Sequence, residues 1–254
     1  MRYKIVILFC FFATTIFSQS YVLKNKGALY PKKDSIQMDR MINYEINFYK
    51  RFSDFDSISI NLRIFDDLTL YYLYQKEAIH IYDKSSGFYS SKINEEVVLR
   101  KKDRPYLPIF YHEISHYFLH KIITGKIPHW LNEGLAEYFA NVQTNKKEIK
   151  HEMTDYEIGR IKTMIEIKDI DLKTFFTWGP NEFMKKEFTD DSYTYILSHG
   201  IVYFLITKNF EQFKQLVLKI KTGTSSEDAF NATYKGGFKQ FETDFLTYYT
   251  QVEN

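Results

Sequence analysis

Cysteine is almost absent: the 254-residue chain has one, Cys10. It lies in an apolar run near the amino terminus and follows Leu8 and Phe9, not the small residues that precede a lipid-modified cysteine. Beyond that run the chain has none, which excludes a disulfide framework and thiol chemistry. An excess of charge is missing too. Setting aside Arg2 and Lys4, the 34 basic residues fall to 32 against 32 acidic ones, and so balanced a chain is not built around nucleic acid. No internal repeat and no low-complexity linker divides it. The run from Ile5 to Phe17 is too short to span a bilayer comfortably, and stable membrane insertion is not expected. With Arg2 and Lys4 before it and Ser18 and Ser20 after it, residues 1–20 have the three-part layout of a secretory signal peptide. The body is therefore expected to be exported, to the periplasm or outside the cell, with an uncleaved anchor as the alternative.

What remains is rich in core-forming residues, 44% hydrophobic and 18% aromatic. That is ample for one domain, or for two lobes closed around a cleft. From Ser57 to Phe65, "SISINLRIF" alternates apolar and polar residues and predicts a half-buried strand. "DDLTLYYLYQ" predicts a short helix started by Asp66 or Asp67. "AIHIY" from Ala78 and "EEVVLRK" from Glu95 predict two further strands, with "GFYSSK" from Gly87 between them.

After Pro105 the pattern becomes helical. Pro108 suits the first turn of a helix running to about Ile123 and ending at Gly125, and Pro128 opens another through Ala140. Helical spacing recurs over Tyr156–Ile167, Asp191–Thr207, Phe210–Ile220, Glu227–Tyr234 and Phe238–Tyr249. The expected fold class is α+β: a small mixed N-terminal sheet with one helix, then a helical lobe. Residues 21–254 form one domain, with the sheet over about 36–104 and the helices over 105–254.

The chemistry is concentrated in "YHEISHYFLHKIITGKIPHWLNEGLAEYF", Tyr111–Phe139. Residues four apart on a helix are about 40° apart in rotation, so His112 and His116 point to a common place where two imidazoles can share one metal ion. Glu113 lies about 100° around from His112, off the ligand pair but within reach of a water on the ion. Sixteen residues separate His116 from Glu133, which follows a turn at Gly125–Pro128 and faces the histidine pair from a second, antiparallel helix. A His, His, Glu set leaves one tetrahedral position on zinc for water, as catalytic sites do. Glu137, a turn further, can hold a ligand histidine through its second nitrogen.

"HEISH" followed by "WLNEGLAEYF" resembles the gluzincin metallopeptidases, and most of all the peptidase MA-like branch related to thermolysin and the zinc aminopeptidases. "YTYILSHGIVYFLI" and "FKQLVLKIKTGTSSEDAF" extend the likeness from about Val97 to the end. The resemblance implies a thermolysin-like catalytic domain with a cleft between its lobes. It also implies one zinc ion on His112, His116 and Glu133, Glu113 as general base, and a peptide or protein substrate. A tyrosine on the helix after Asp191 would hold the oxyanion, with Tyr195 best placed and Tyr193 the alternative. The Gly-x-Met-Glu-Asn segment of the aminopeptidases is missing ahead of the motif, where "GFYSSKINEEVVLRKK" stands. An endopeptidase is expected, with "GFYSSK" as an edge strand for an extended substrate and at least one of Glu95 and Glu96 in solvent.

Two other functions compete. Glu77-x-x-His80 and Glu113-x-x-His116 both match the ligand pair of di-iron bundles, but the first runs into the predicted strand at Ala78. A non-catalytic binding module could keep the same fold and zinc. His199, a turn after Tyr195, either faces the cleft or is an ordinary core or surface residue, and His80, His120, His129 and His151 carry no assigned role.

Overall fold

A computed structural model of the chain describes residues 21–54, 57–80, 85–144, 148–190 and 192–252; the expected leader over 1–20 lies outside the described residues. The class is α+β. Strands β1 (Tyr21–Asn25), β2 (Ile58–Phe65), β3 (Gly87–Ser90) and β4 (Glu95–Leu99) form a mixed sheet in the order β1-β2-β4-β3. The first three strands in that order are parallel, and β3 runs antiparallel to β4 at the edge. In β2 the buried residues are Ile58, Ile60, Leu62 and Ile64, every second position, as a pleated strand with one face on a core requires.

That face packs on α1 (Lys32–Tyr49) and α3 (Leu107–Ile122), while Phe88, Val97 and Leu99 on the other face pack on Tyr71 of α2 (Leu68–Ile79). Asp67 caps α2 by accepting the Leu70 amide at 2.9 Å. Pro108 sits in the first turn of α3, where no backbone N–H is needed. Residues 123–128 turn the chain into α4 (His129–Ala140). A hairpin of β5 (Val142–Thr144) and β6 (Ile149–His151) follows, then α5 (Asp155–Glu166), α6 (Leu172–Phe175) and α7 (Pro180–Thr189). Next come α8 (Tyr193–Lys221), α9 (Ser226–Thr233) and α10 (Gly237–Gln251). Backbone angles inside α8 leave the helical range at Asn209, whose side chain caps the second half through the Gln212 amide, so the two expected helices are joined at a kink.

Several expectations are corrected. Ala78 and Ile79 end α2 and do not start a strand; His80 stops the helix in the left-handed region, φ 58°. The predicted strand's residues 81 and 82 lie outside the described residues. The N-terminal region carries two helices instead of one and begins with β1 at Tyr21 instead of near residue 36. The helical lobe contains a hairpin. Glu95 and Glu96 are both buried, at 2% and 0% exposure. Arg63 donates to Glu95 at 3.1 Å and Lys26 lies 3.6 Å away, which compensates its charge; neither carboxyl oxygen of Glu96 has a hydrogen-bond partner.

Candidate metal centre

The α3–α4 hairpin brings His112, His116 and Glu133 together, the one such cluster of possible ligands among the described residues. Oε2 of Glu133 is 3.5 Å from Nε2 of His112 and 3.7 Å from Nε2 of His116. Ligands about 2.0–2.2 Å from a shared tetrahedral ion are roughly 3.4 Å apart, close to both Glu133 separations, and the three donor atoms all lie within 4.8 Å of one another, so the group could hold a metal ion. Glu77 and His80 stand outside the cluster, which removes the di-iron reading for a better reason than the supposed strand.

Each imidazole is fixed from behind. Oε1 of Glu137 is 3.1 Å from Nδ1 of His112, and Oδ1 of Asn132 is 3.0 Å from Nδ1 of His116. Donation from both Nδ1–H groups to these oxygens would leave both Nε2 atoms, which face Glu133, to coordinate an ion, the tautomer a metal needs. Asn132 also donates to Oε1 of Glu133 at 3.0 Å, tying two ligands to one amide. It gave no periodic signal in the sequence; its role follows only from the packing of α4 on α3.

The electrostatics favour a cation. Burial lowers the His116 pKa to about 4, which leaves it neutral at pH 7. Burial alone would push Glu133 up, but His116 and His112 outweigh it and bring its carboxyl down to about 2. For His112 burial opposes the charged form, yet hydrogen bonds to Glu133 and Glu137 carry its pKa well above the ordinary value. Before a cation binds, the cluster thus holds a carboxylate, a neutral imidazole at His116 and a protonated one at His112, whose Nε2 proton a bound cation would replace.

Around it runs a cleft of about 770 Å³, walled by β3 on one side and by Thr154–Glu157 and Tyr195 on the other. Glu113 lines it beside the ligands and is 6% exposed. Tyr195 sits in the first turn of α8, its ring 6.4 Å from that of His112 and edge-on to Phe183. Burial, then the charges of Glu133 and Glu137, raise its pKa far enough to keep the phenol a proton donor. Tyr193 is different: its hydroxyl donates to the Asp169 carbonyl at 2.7 Å, away from the cleft. Glu187 of α7, unforeseen in the sequence, accepts from the amides of Ser192 and Thr194 and so caps the turn that carries Tyr195.

The remaining histidines divide. His199 is fully buried, with Nδ1 2.8 Å from Glu157 and Nε2 without a hydrogen-bond partner. It lies behind the cleft wall, and Glu157 is the member of the pair that lines the cleft. His129, given no role from sequence, places Nε2 3.9 Å from Glu133 and its ring against Phe183. His120 lies at the cleft rim against Tyr89. His151 stacks on Tyr138.

No helix among the described residues is long and apolar enough to cross a membrane. A comparison with curated proteins gives no match. Over residues 111–225, from the residue before His112 to the N-cap of α9, the chain is similar to a family described as protein of unknown function (DUF1570).

Proposed function

We propose that the protein is a zinc peptidase of the gluzincin type with a thermolysin-like cleft, cleaving internal bonds of peptides in the periplasm or outside the cell. The observation that carries this reading is the convergence of Nε2 of His112, Nε2 of His116 and Oε2 of Glu133 at 3.5 and 3.7 Å, with Glu113 beside them in the cleft. Zinc held there would supply a Lewis acid and lower the pKa of a water toward neutrality. Glu113 takes the proton of the attacking water and returns it to the leaving amine. The Tyr195 phenol donates to the oxyanion. Among the described residues β3 is paired with β4 on one side only, which leaves its other edge to an extended peptide that needs no free terminus.

Metal analysis of the purified protein, with a peptide assay before and after chelation and zinc return, tests the reading. One zinc per chain and chelator-sensitive cleavage are expected. Glu113→Gln should keep the metal and abolish turnover; a zinc loss as complete as that of His112→Ala would refute the division of roles. Peptides of one sequence with free and acetylated amino termini decide the position of attack. Equal cleavage at internal bonds is expected, and release of single residues from free termini alone would overturn the endopeptidase assignment. Zinc binding without cleavage of any peptide would favour the binding module.

A further inference from the structure

Gly87 begins β3 directly over the first turns of α3. It pairs with Val98 of β4, and the two share the sheet face that packs on α3. It does not have the positive φ that would demand glycine. What requires it is space: a Cβ there would lie 2.5 Å from Cγ2 of Ile109 and 2.7 Å from Oε1 of Glu113. Ordinary non-bonded contact is roughly 3.5 Å or more, so the separation must grow by about 1 Å at Ile109 and about 0.8 Å at Glu113. The three nearest atoms, the third being Cγ of Glu113 at 3.1 Å, all belong to side chains. Cγ2 of Ile109 is fixed by β-branching on a helix. The Glu113 carboxylate ends a longer side chain with more rotatable bonds and can be displaced, while the Ile109 contact is relieved by a small shift of β3.

We infer that Gly87 is a positioning residue for Glu113: the side chain it lacks leaves the recess in which the carboxylate is held against the metal centre. The inference rests on the proposed role of Glu113 as base for its kinetic consequence, but its geometry stands independently. Substrate also lies along β3 in that reading, so the same residue sets the distance between the peptide and the base.

The test is Gly87→Ala, examined by crystallography and by kinetics of the zinc-loaded enzyme. Expected are unchanged zinc content, a lowered melting temperature that Ile109→Ala restores in part, a Glu113 carboxylate displaced by about 0.8 Å, and a kcat about 100-fold lower with KM little altered. Adding Ile109→Ala frees the other side of the new methyl and should recover part of kcat, which a general weakening of the sheet would not allow. A Glu113 carboxylate found in its wild-type place, full activity, or a Gly87→Ala chain that fails to fold would each overturn the inference. Wild-type protein inactive on all peptides would refute the peptidase reading, while a displaced carboxylate in the Gly87→Ala crystal would still uphold the role of Gly87.

Discussion

Replacing Gly134 by alanine puts one methyl group between the two helices that build the site. Gly134 follows the ligand Glu133 on α4, and a Cβ at this position would stand 2.4 Å from the Ser198 carbonyl oxygen and 2.6 Å from Cγ2 of Val202, both on α8. Against an ordinary contact of roughly 3.5 Å, the helices must separate by about 1 Å. The closest atom is backbone and cannot rotate aside, so the strain belongs at the upper end of the usual overpacking range, about 3 kcal/mol. Alanine returns about 1 kcal/mol of helix propensity. The net loss is about 2 kcal/mol, or a fall in melting temperature of roughly 4–8 °C for a chain of this size. Separation also carries Glu133 and Glu137 away from Tyr195, one turn before Ser198. Gly159 supplies the control: it lies inside α5 with nothing within 4 Å of an added Cβ, so Gly159→Ala should stabilise by up to about 1 kcal/mol. Thermal unfolding followed by circular dichroism, with zinc affinity from chelator competition, reads both. Gly134→Ala melting at or above wild type would show that the two helices yield freely and would refute the reasoning.

Three further outcomes are expected. Glu137→Gln, which weakens the acceptor behind Nδ1 of His112, should lower zinc affinity about tenfold or more; a chelator titration indistinguishable from wild type would sink that role. Glu45 of α1 is fully buried and neither oxygen has a hydrogen-bond partner, and burial, with Glu96 adding and His112 opposing, holds its pKa well above the ordinary 4.5. Its ionisation in the unfolded chain alone costs stability as pH rises through 4.5 toward the folded value. Glu45→Met should therefore stabilise by about 1–3 kcal/mol, more at pH 8 than at pH 4, and a gain independent of pH would contradict this account. Glu187→Ala should cost about 1 kcal/mol by uncapping α8, with a fall in kcat through Tyr195; unfolding and kinetics identical to wild type would exclude it.

The parts of this molecule that could be read from sequence are those whose signal is local. His112, Glu113, His116, Glu133 and Glu137 declare themselves by spacing on two adjacent helices, and α3, α4 and α5 by the period of their apolar residues. The strand assigned to Ala78 failed because alternation over five residues also fits the last turn of a helix, here α2. Helix α1 was legible in Met38, Met41, Ile42 and Ile46 but was passed over; Glu45 interrupts its apolar stripe, and only the structure shows that this carboxyl is buried. In α7 a single residue, Phe183, is buried, which leaves no period to detect. Asn132, Glu187 and Gly87 act across contacts between elements, where residue type and spacing carry no information. The solvated end expected for Glu95 or Glu96 fails for the same reason, since Arg63 reaches Glu95 from the neighbouring strand.

The three metal donors come from one short hairpin, separated by 21 residues at most, whereas Tyr195 arrives from 62 residues beyond Glu133. Closing a loop three times longer costs about 1 kcal/mol more entropy before any contact repays it. The consequence is an order of assembly. The hairpin can gather His112, His116 and Glu133 while α8 is still undocked, so that in the proposed function metal capture would come early in folding and oxyanion stabilisation late. Under the proposed function, a chain emerging in pieces from export would hold its ion before it could cut anything, itself and its neighbours included.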